Sequence, residues 1–239
     1  MLQDSEIERV LVVTAHPDDV DFGAAGTIAG WTAAGVSVAY CVCTDGDAGG
    51  FDPAVDRAEI PAIRRAEQIE AAKQVGVRDV RFLGYPDGAL QATLELRRDI
   101  SRVIRQVRPQ RMVLQSPERN WARIGASHPD HLACGVAAIA AVYPDARNPF
   151  AHRELLLEEG LEEWSVAEVW LQAHPEINHW VDVTDTFDAK LAALRAHVSQ
   201  TGHMEGFEKR IRGWFGSNAE RAGLPEGRLV EGFFVVATA

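Results

Sequence analysis

At 239 residues, with 46% hydrophobic and 25% charged side chains, the chain has the composition of a globular protein able to bury a core. A formal charge of −11 lacks the basic footprint that nucleic acid or an anionic membrane surface requires, so a small-molecule substrate is the expected partner. Three cysteines without a C-x-x-C pair argue against a disulfide framework or a cysteine-held metal.

The acidic opening Met1-Leu2-Gln3-Asp4-Ser5-Glu6 lacks the basic-then-apolar pattern of a secretory signal. No uncharged apolar run approaches the ~18 residues that cross a bilayer, so no membrane insertion and a cytoplasmic location are expected. Residues 10–13 form a short β-branched run, the pattern of a strand buried on both faces. Residues 20–34 read as a helix with Gly23, Gly26 and Gly30 along one side. Residues 36–43 read as a second strand that points Cys41 and Cys43 to one face, while Cys134 stands alone. The stretch Asp45-Gly46-Asp47-Ala48-Gly49-Gly50 is a loop by its density of turn residues.

An amphipathic helix is expected over 60–75 from the spacing of Ile63, Ala66, Ile69 and Ala72. A third strand follows at 80–83, then a helix over 94–107 that stops before Pro109, a fourth strand at 111–115, and a helix opening near Pro129. Later elements are less regular: an amphipathic helix at 153–159, strands at 168–171 and 180–183, a helix over 185–199 and a last strand at 229–237. The 153–159 helix also offers a subunit contact, which leaves a homo-oligomer open. Strands alternating with helices predict a mostly parallel sheet covered on both faces, with its site beyond the carboxyl ends of the strands.

Two clusters fall at those ends. The first strand runs into Ala15-His16-Pro17-Asp18-Asp19, where an imidazole and two carboxylates crowd one turn. Helix capping explains one aspartate but not two beside a histidine. His16 and Asp19 are spaced to reach one cation, with Asp18 directed toward a water. The second cluster, Ser127-His128-Pro129-Asp130-His131, opens a helix, with Ser127 or His128 at the N-cap and Pro129 at the first helical position. His128 and His131 share one side of that turn. Together the clusters offer two histidines and a carboxylate, a set that holds catalytic zinc with a position left for water.

These motifs resemble those of the PIG-L/LmbE-like zinc-dependent N-deacetylases, which include the N-acetylglucosaminyl-phosphatidylinositol, mycothiol-pathway and bacillithiol-pathway deacetylases. Further stretches fit: Thr44-Asp45-Gly46-Asp47-Ala48-Gly49, Arg64-Arg65-Ala66-Glu67, Leu83-Gly84-Tyr85-Pro86-Asp87-Gly88 and Ala196-His197-Val198-Ser199-Gln200. The resemblance implies His16, Asp19 and His131 as metal ligands, Asp18 as general base and His128 as general acid or oxyanion partner. It further implies Asp130 as the residue that holds His128, Arg64 and Asp87 as sugar contacts, and His197 as a residue lining the site. One departure is plain: mycothiol-pathway members carry an oxyanion-stabilising tyrosine two residues before the first histidine of the second motif, where this chain has Ala126.

Other signals rank lower. Gly23, Gly26 and Gly30 lack the G-x-G-x-x-G spacing, and two aspartates stand where a pyrophosphate would lie. His174, His152 and His203 read as surface residues, and Trp121 as the tryptophan best placed to touch a ligand. The resulting expectation is an α/β protein with a Rossmann-like three-layer fold and a mostly parallel sheet, one deacetylase domain over 1–239 whose part from about 150 to 239 completes the site wall. Its expected activity is Zn2+-dependent removal of an acetyl group from an N-acetylated amino sugar or glycoside, with Fe2+ the competing metal. The alternatives are an amidase for a larger conjugate or natural-product intermediate, and a metal-binding module without turnover.

Overall fold

The computed structural model describes residues 2–238. Its elements follow in the order β1 (Arg9–Thr14), α1 (Asp19–Gly23), α2 (Ala25–Ala33), β2 (Ser37–Thr44), α3 (Ile60–Gln74), β3 (Asp79–Tyr85), α4 (Leu94–Val107) and β4 (Arg111–Gln115). After these come α5 (Pro129–Ala140), α6 (Arg153–Leu157), β5 (Glu168–Gln172), β6 (His179–Asp182), α7 (Phe187–Ala196), α8 (Val198–Thr201), α9 (Phe207–Arg221) and β7 (Val230–Ala237).

The strands lie side by side as β3-β2-β1-β4-β5-β7-β6. The first five are parallel, and β7 runs antiparallel to β5 and to β6. This is the expected layered α/β sheet with an antiparallel margin. Successive side chains of β1 serve opposite faces, as the period of a strand requires. Leu11 and Val13 pack with Ile100 and Ile104 of α4 and with Ala137 and Ala138 of α5. Val10 and Val12 belong to the other layer, with Ile28 of α2, Ala71 and Ala72 of α3, and Ala193 of α7. Cys41 and Cys43 face one layer as expected. Cys134 is not alone, since its Sγ lies 3.7 Å from that of Cys43.

The chain leaves β1 toward β2 on one side, while β4 flanks β1 on the other. Their carboxyl ends therefore part at a crevice, where ligands bind in open sheets of this kind. Gly135 seats α5 against that crevice. A Cβ there would lie 2.6 Å from the carbonyl oxygen of Gln115 and 2.8 Å from Pro117 N. Gly135→Ala is accordingly expected to destabilise the protein by about 1–3 kcal/mol through overpacking against backbone, read as a lowered denaturation midpoint. Wild-type stability in that variant would mean the close approach is not required.

Several elements differ from expectation for local reasons. The helix over 20–34 breaks at Ala24 (φ −139°, ψ 0°) into α1 and α2. The helix over 185–199 stops at Ala196, because His197 leaves helical geometry and turns inward to Asp21. Helix α9 was not expected: Gly213 and Gly216 interrupt its pattern, although Ile211, Phe215 and Ala219 form a buried stripe at four-residue spacing. In α3 the buried face is Arg64, Gln68, Ala71 and Ala72, whereas Ile63 and Ile69 are exposed. Polar residues face inward there because α3 lies over the polar end of β1. His174 is likewise buried rather than on the surface, its ring stacked on Phe234 with centroids 4.2 Å apart. No helix among the described residues is long and apolar enough to cross a membrane.

Candidate active site

The turn after β1 is fixed to β4 before any functional group is considered: Ala15 N–H donates to Gln115 Oε1 at 2.9 Å. His16 and Asp19 then face each other across the turn, with the His16 N–H donating to Asp19 Oδ2 at 2.7 Å. The start of α5 enters from the far side of β4. His128 is its N-cap and Pro129 its first residue. His16 Nδ1 lies 3.2 Å from His131 Nε2 and 3.4 Å from Asp19 Oδ2, and His131 Nε2 lies 3.0 Å from Asp19 Oδ1. Two stretches more than a hundred residues apart in sequence thus meet in one triangle.

Donor sets overlap around His16. Nitrogens of His16, His128 and His131 lie within 4.8 Å of one another, as do donor atoms of His16, Asp87 and Asp130. The two ring nitrogens of His16 divide these sets. Nε2 faces Asp87 Oδ1 at 3.0 Å and Asp130 Oδ2 at 3.1 Å, two acceptors that call for a proton on that nitrogen. A neutral His16 then turns its lone pair, on Nδ1, toward Asp19 and His131. His131 is set in the same way: its Nδ1 lies 3.3 Å from the Ala126 carbonyl, which fixes the hydrogen there and frees Nε2. A tetrahedral ion with bonds of ~2.1 Å separates its ligands by about 3.4 Å, close to all three edges of the His16–Asp19–His131 triangle. The residues present fit such an ion.

The electrostatics agree. Burial depresses the His16 pKa, but Asp19 and Asp87 outweigh it and hold it at about 11. Burial also works against a charged His131, and Asp19 again wins, raising its pKa. Asp19 itself, despite burial, is held well below the usual carboxylate range by His131 and His16. In the absence of an ion the imidazoles supply the positive charge that these carboxylates demand. A cation can take that place once the protons leave.

Asp18 stands beside the triangle and is held by a different partner. Its carboxylate accepts from Arg64 at 3.0 Å and keeps 16% of its side-chain surface open. Burial raises its pKa, Arg64 opposes the rise, and the balance lies at about 6. Asp18 also has φ 92°. A non-glycine residue so placed costs on the order of 1–3 kcal/mol and persists only where its surroundings impose it.

Several expected contacts are relocated. Arg64 does not reach toward a sugar: it is buried beneath the loop after β2, bonded to Asp18, to the Pro17 carbonyl and to Gly46. Gly49 lies close above it, and a Cβ there would displace the Arg64 guanidinium. Asp87 faces His16 Nε2 through Oδ1. His197 does not line the site, being fully buried behind it with Nε2 2.8 Å from Asp21 Oδ2. Nor does the Asp130 carboxylate hold His128. It accepts from Gly88 N at 2.7 Å and Leu90 N at 3.2 Å and faces His16. Asp130 reaches His128 through its backbone N–H, which donates to Nδ1 at 3.2 Å.

That last bond matters for charge. The His128 pKa is lowered, by burial first and then by His16 and His131, against a smaller upward pull from Asp130. An imidazolium at His128 is therefore disfavoured. A neutral His128 whose Nδ1 accepts from the backbone carries its hydrogen on Nε2, as a donor. Trp121 is 81% exposed, with the Arg119 guanidinium 5.4 Å from its ring centroid. Sequence reasoning missed Gln115 and Gln68, whose side chains accept from the Ala15 and Asp18 N–H groups, and Asp21, which accepts from Gln68. Gln68 had a signal, a polar residue one turn beyond Arg64 on a helix that covers the sheet.

Fold and donor cluster together define a Rossmann-like α/β protein with histidines and carboxylates able to hold a metal ion at the switch point of its sheet. Residues 11–142 match the family described as PIG-L: GlcNAc-PI de-N-acetylase, and the chain belongs to that family. It is 33% identical over 196 residues to diacetylchitobiose deacetylase of Thermococcus kodakarensis, covering 82% of this chain and 71% of that one. Over 203 residues it is 35% identical to a probable N-acetyl-alpha-D-glucosaminyl L-malate deacetylase 2 of Bacillus cereus, covering 82% and 85%. The solved structure of N,N'-diacetylchitobiose deacetylase from Pyrococcus horikoshii superposes with a TM-score of 0.88 at 32% identity, covering 97% of this chain and 85% of that one.

Proposed function

We propose that this protein is a zinc-dependent N-deacetylase that hydrolyses the acetamido group of an N-acetylated amino sugar or its glycoside. The observation that carries the reading is the His16–Asp19–His131 triangle, with edges of 3.0 to 3.4 Å, standing beside the partly open carboxylate of Asp18. The sugar class rests on the substrates that the relatives are described as acting on. Zinc suits a set of two imidazoles and one carboxylate, and iron(II) competes for the same nitrogen and oxygen donors.

His16 through Nδ1, His131 through Nε2 and Asp19 through its carboxylate would hold the ion. When bound, the ion supplies Lewis-acid charge and lowers the pKa of water from ~15.7 toward ~7. Asp18 accepts the proton of the attacking water, because its carboxylate is open and Arg64 keeps it ionised near neutral pH. His128 donates a hydrogen bond from Nε2 to the oxygen of the tetrahedral intermediate, a contact to which Ala126 adds no side-chain donor. The protonated Asp18 then returns its proton to the departing amine. Asp87 and Asp130 orient His16 from its outer nitrogen.

Incubating the purified protein with N,N'-diacetylchitobiose and with N-acetylglucosaminyl glycosides tests the reading through release of primary amine. Amine formation that disappears on treatment with a chelator and returns with zinc is the expected result. A metal-loaded protein that releases no amine from any acetylated sugar overturns the proposed substrate class.

A further inference from the structure

Asp18 keeps its left-handed backbone with help from outside its own motif. As N-cap of α1 it offers an N–H that the residue three positions on, here Asp21, commonly satisfies in a capping box. Asp21 does not do so. Its Oδ2 instead accepts from Gln68 Nε2 at 2.9 Å and lies 2.8 Å from His197 Nε2. Gln68, fully buried on α3, spans the gap and accepts the Asp18 N–H on Oε1 at 2.8 Å. Its amide has one workable orientation. Turned over, it would press its NH2 against the Asp18 N–H and its oxygen against the Asp21 carboxylate.

We propose that Gln68 is a positioning residue for the general base, with Asp21 and His197 fixing which end of its amide faces Asp18. The inference rests on Asp18 being the base. Arg64, one turn earlier on the same helix, grips the Asp18 carboxylate and the Pro17 carbonyl, so α3 anchors side chain and backbone separately. The ion-binding triangle has its own supports in Gln115, Ala126 and Asp130. Loss of Gln68 should therefore reach proton transfer without reaching the metal.

The test uses full-length protein and N,N'-diacetylchitobiose. Gln68→Met keeps length and burial but neither hydrogen bond. It should lower kcat by about 10- to 100-fold, the scale of a misplaced catalytic group, with KM and metal content within about 2-fold of wild type. Gln68→Glu alone sets two carboxylates against each other and should lose kcat as well. The swapped pair Gln68→Glu with Asp21→Asn restores both bonds: the Asp18 N–H still donates to an oxygen of residue 68, and only the bond between 68 and 21 reverses, with the new asparagine amide as the donor. It should recover kcat to within about 5-fold of wild type.

Unchanged kcat in Gln68→Met overturns the inference, as does a swapped pair no better than its worse single variant. A kcat loss that merely tracks metal loss also overturns it, since Gln68 would then serve the ion. If Gln68→Met fails to fold, the swapped pair against Gln68→Glu decides the matter. Wild-type protein that releases no amine from any acetylated sugar sinks the deacetylase reading instead, and this inference with it.

Discussion

Asp18→Asn is expected to lower kcat by about 10²- to 10⁴-fold, the contribution of a positioned general base, while the protein retains its metal and its fold. Asparagine is the informative replacement because it tolerates positive φ better than most residues, and the position lies at φ 92°. It preserves an acceptor for Arg64, which donates to the carboxylate at 3.0 Å, but it cannot take a proton from water. KM should move little, since the base acts on water and not on the sugar. The pH profile gives a second readout. A base must be ionised to work, so wild-type activity should fall as pH drops through the Asp18 pKa. Burial lifts that value to about 6 against the pull of Arg64, and a cation nearby moves it lower. The acid limb therefore lies at or below about pH 6, and it should vanish in the residual activity of the variant. An asparagine variant that turns over substrate at the wild-type rate would falsify the assignment of the base.

Much of this site was legible because its two motifs are short and local. The run from residue 10 to 13 needs a sheet on both sides of it, and the residues just beyond a buried parallel strand fall at the ligand-binding edge. His16 and Asp19 could be placed from that alone, and Pro129 marked the start of the helix that carries His131. The hidden features depend on partners distant in sequence. Arg64 and Gln68 sit among isoleucines on α3, and only the packing of that helix over the end of β1 shows that the polar residues face inward and Ile63 and Ile69 outward. His197 reads as a site residue from its motif, yet its bond to Asp21 withdraws it behind the turn. The direction of the Asp130 carboxylate is another such case. Position 130 is beside His128 in sequence, but the amides of Gly88 and Leu90, brought in by the loop after β3, draw the side chain toward His16.

The other large effect concerns His131, which completes the triangle from the second motif. His131→Ala removes the nitrogen that lies 3.0 Å from Asp19 and 3.2 Å from His16 and leaves two donors on one turn of chain. Two ligands hold an ion far less firmly than three, and His16 then finds it easier to keep its proton, since Asp19 and Asp87 already raise its pKa to about 11. The purified variant should carry little metal. Its kcat/KM should fall by at least ~10³-fold, because the several kcal/mol that a cation contributes to the transition state are lost and each 1.36 kcal/mol is tenfold in rate. A thermal readout separates this outcome from misfolding. An ion that binds only the native state raises the melting temperature as its concentration rises, so added zinc should stabilise the metal-stripped wild type and leave the folded variant unmoved. A variant that binds zinc as tightly as wild type and still releases amine would mean that the second motif supplies no ligand through His131, and that the ion, if one is used, sits on another of the donor sets around His16.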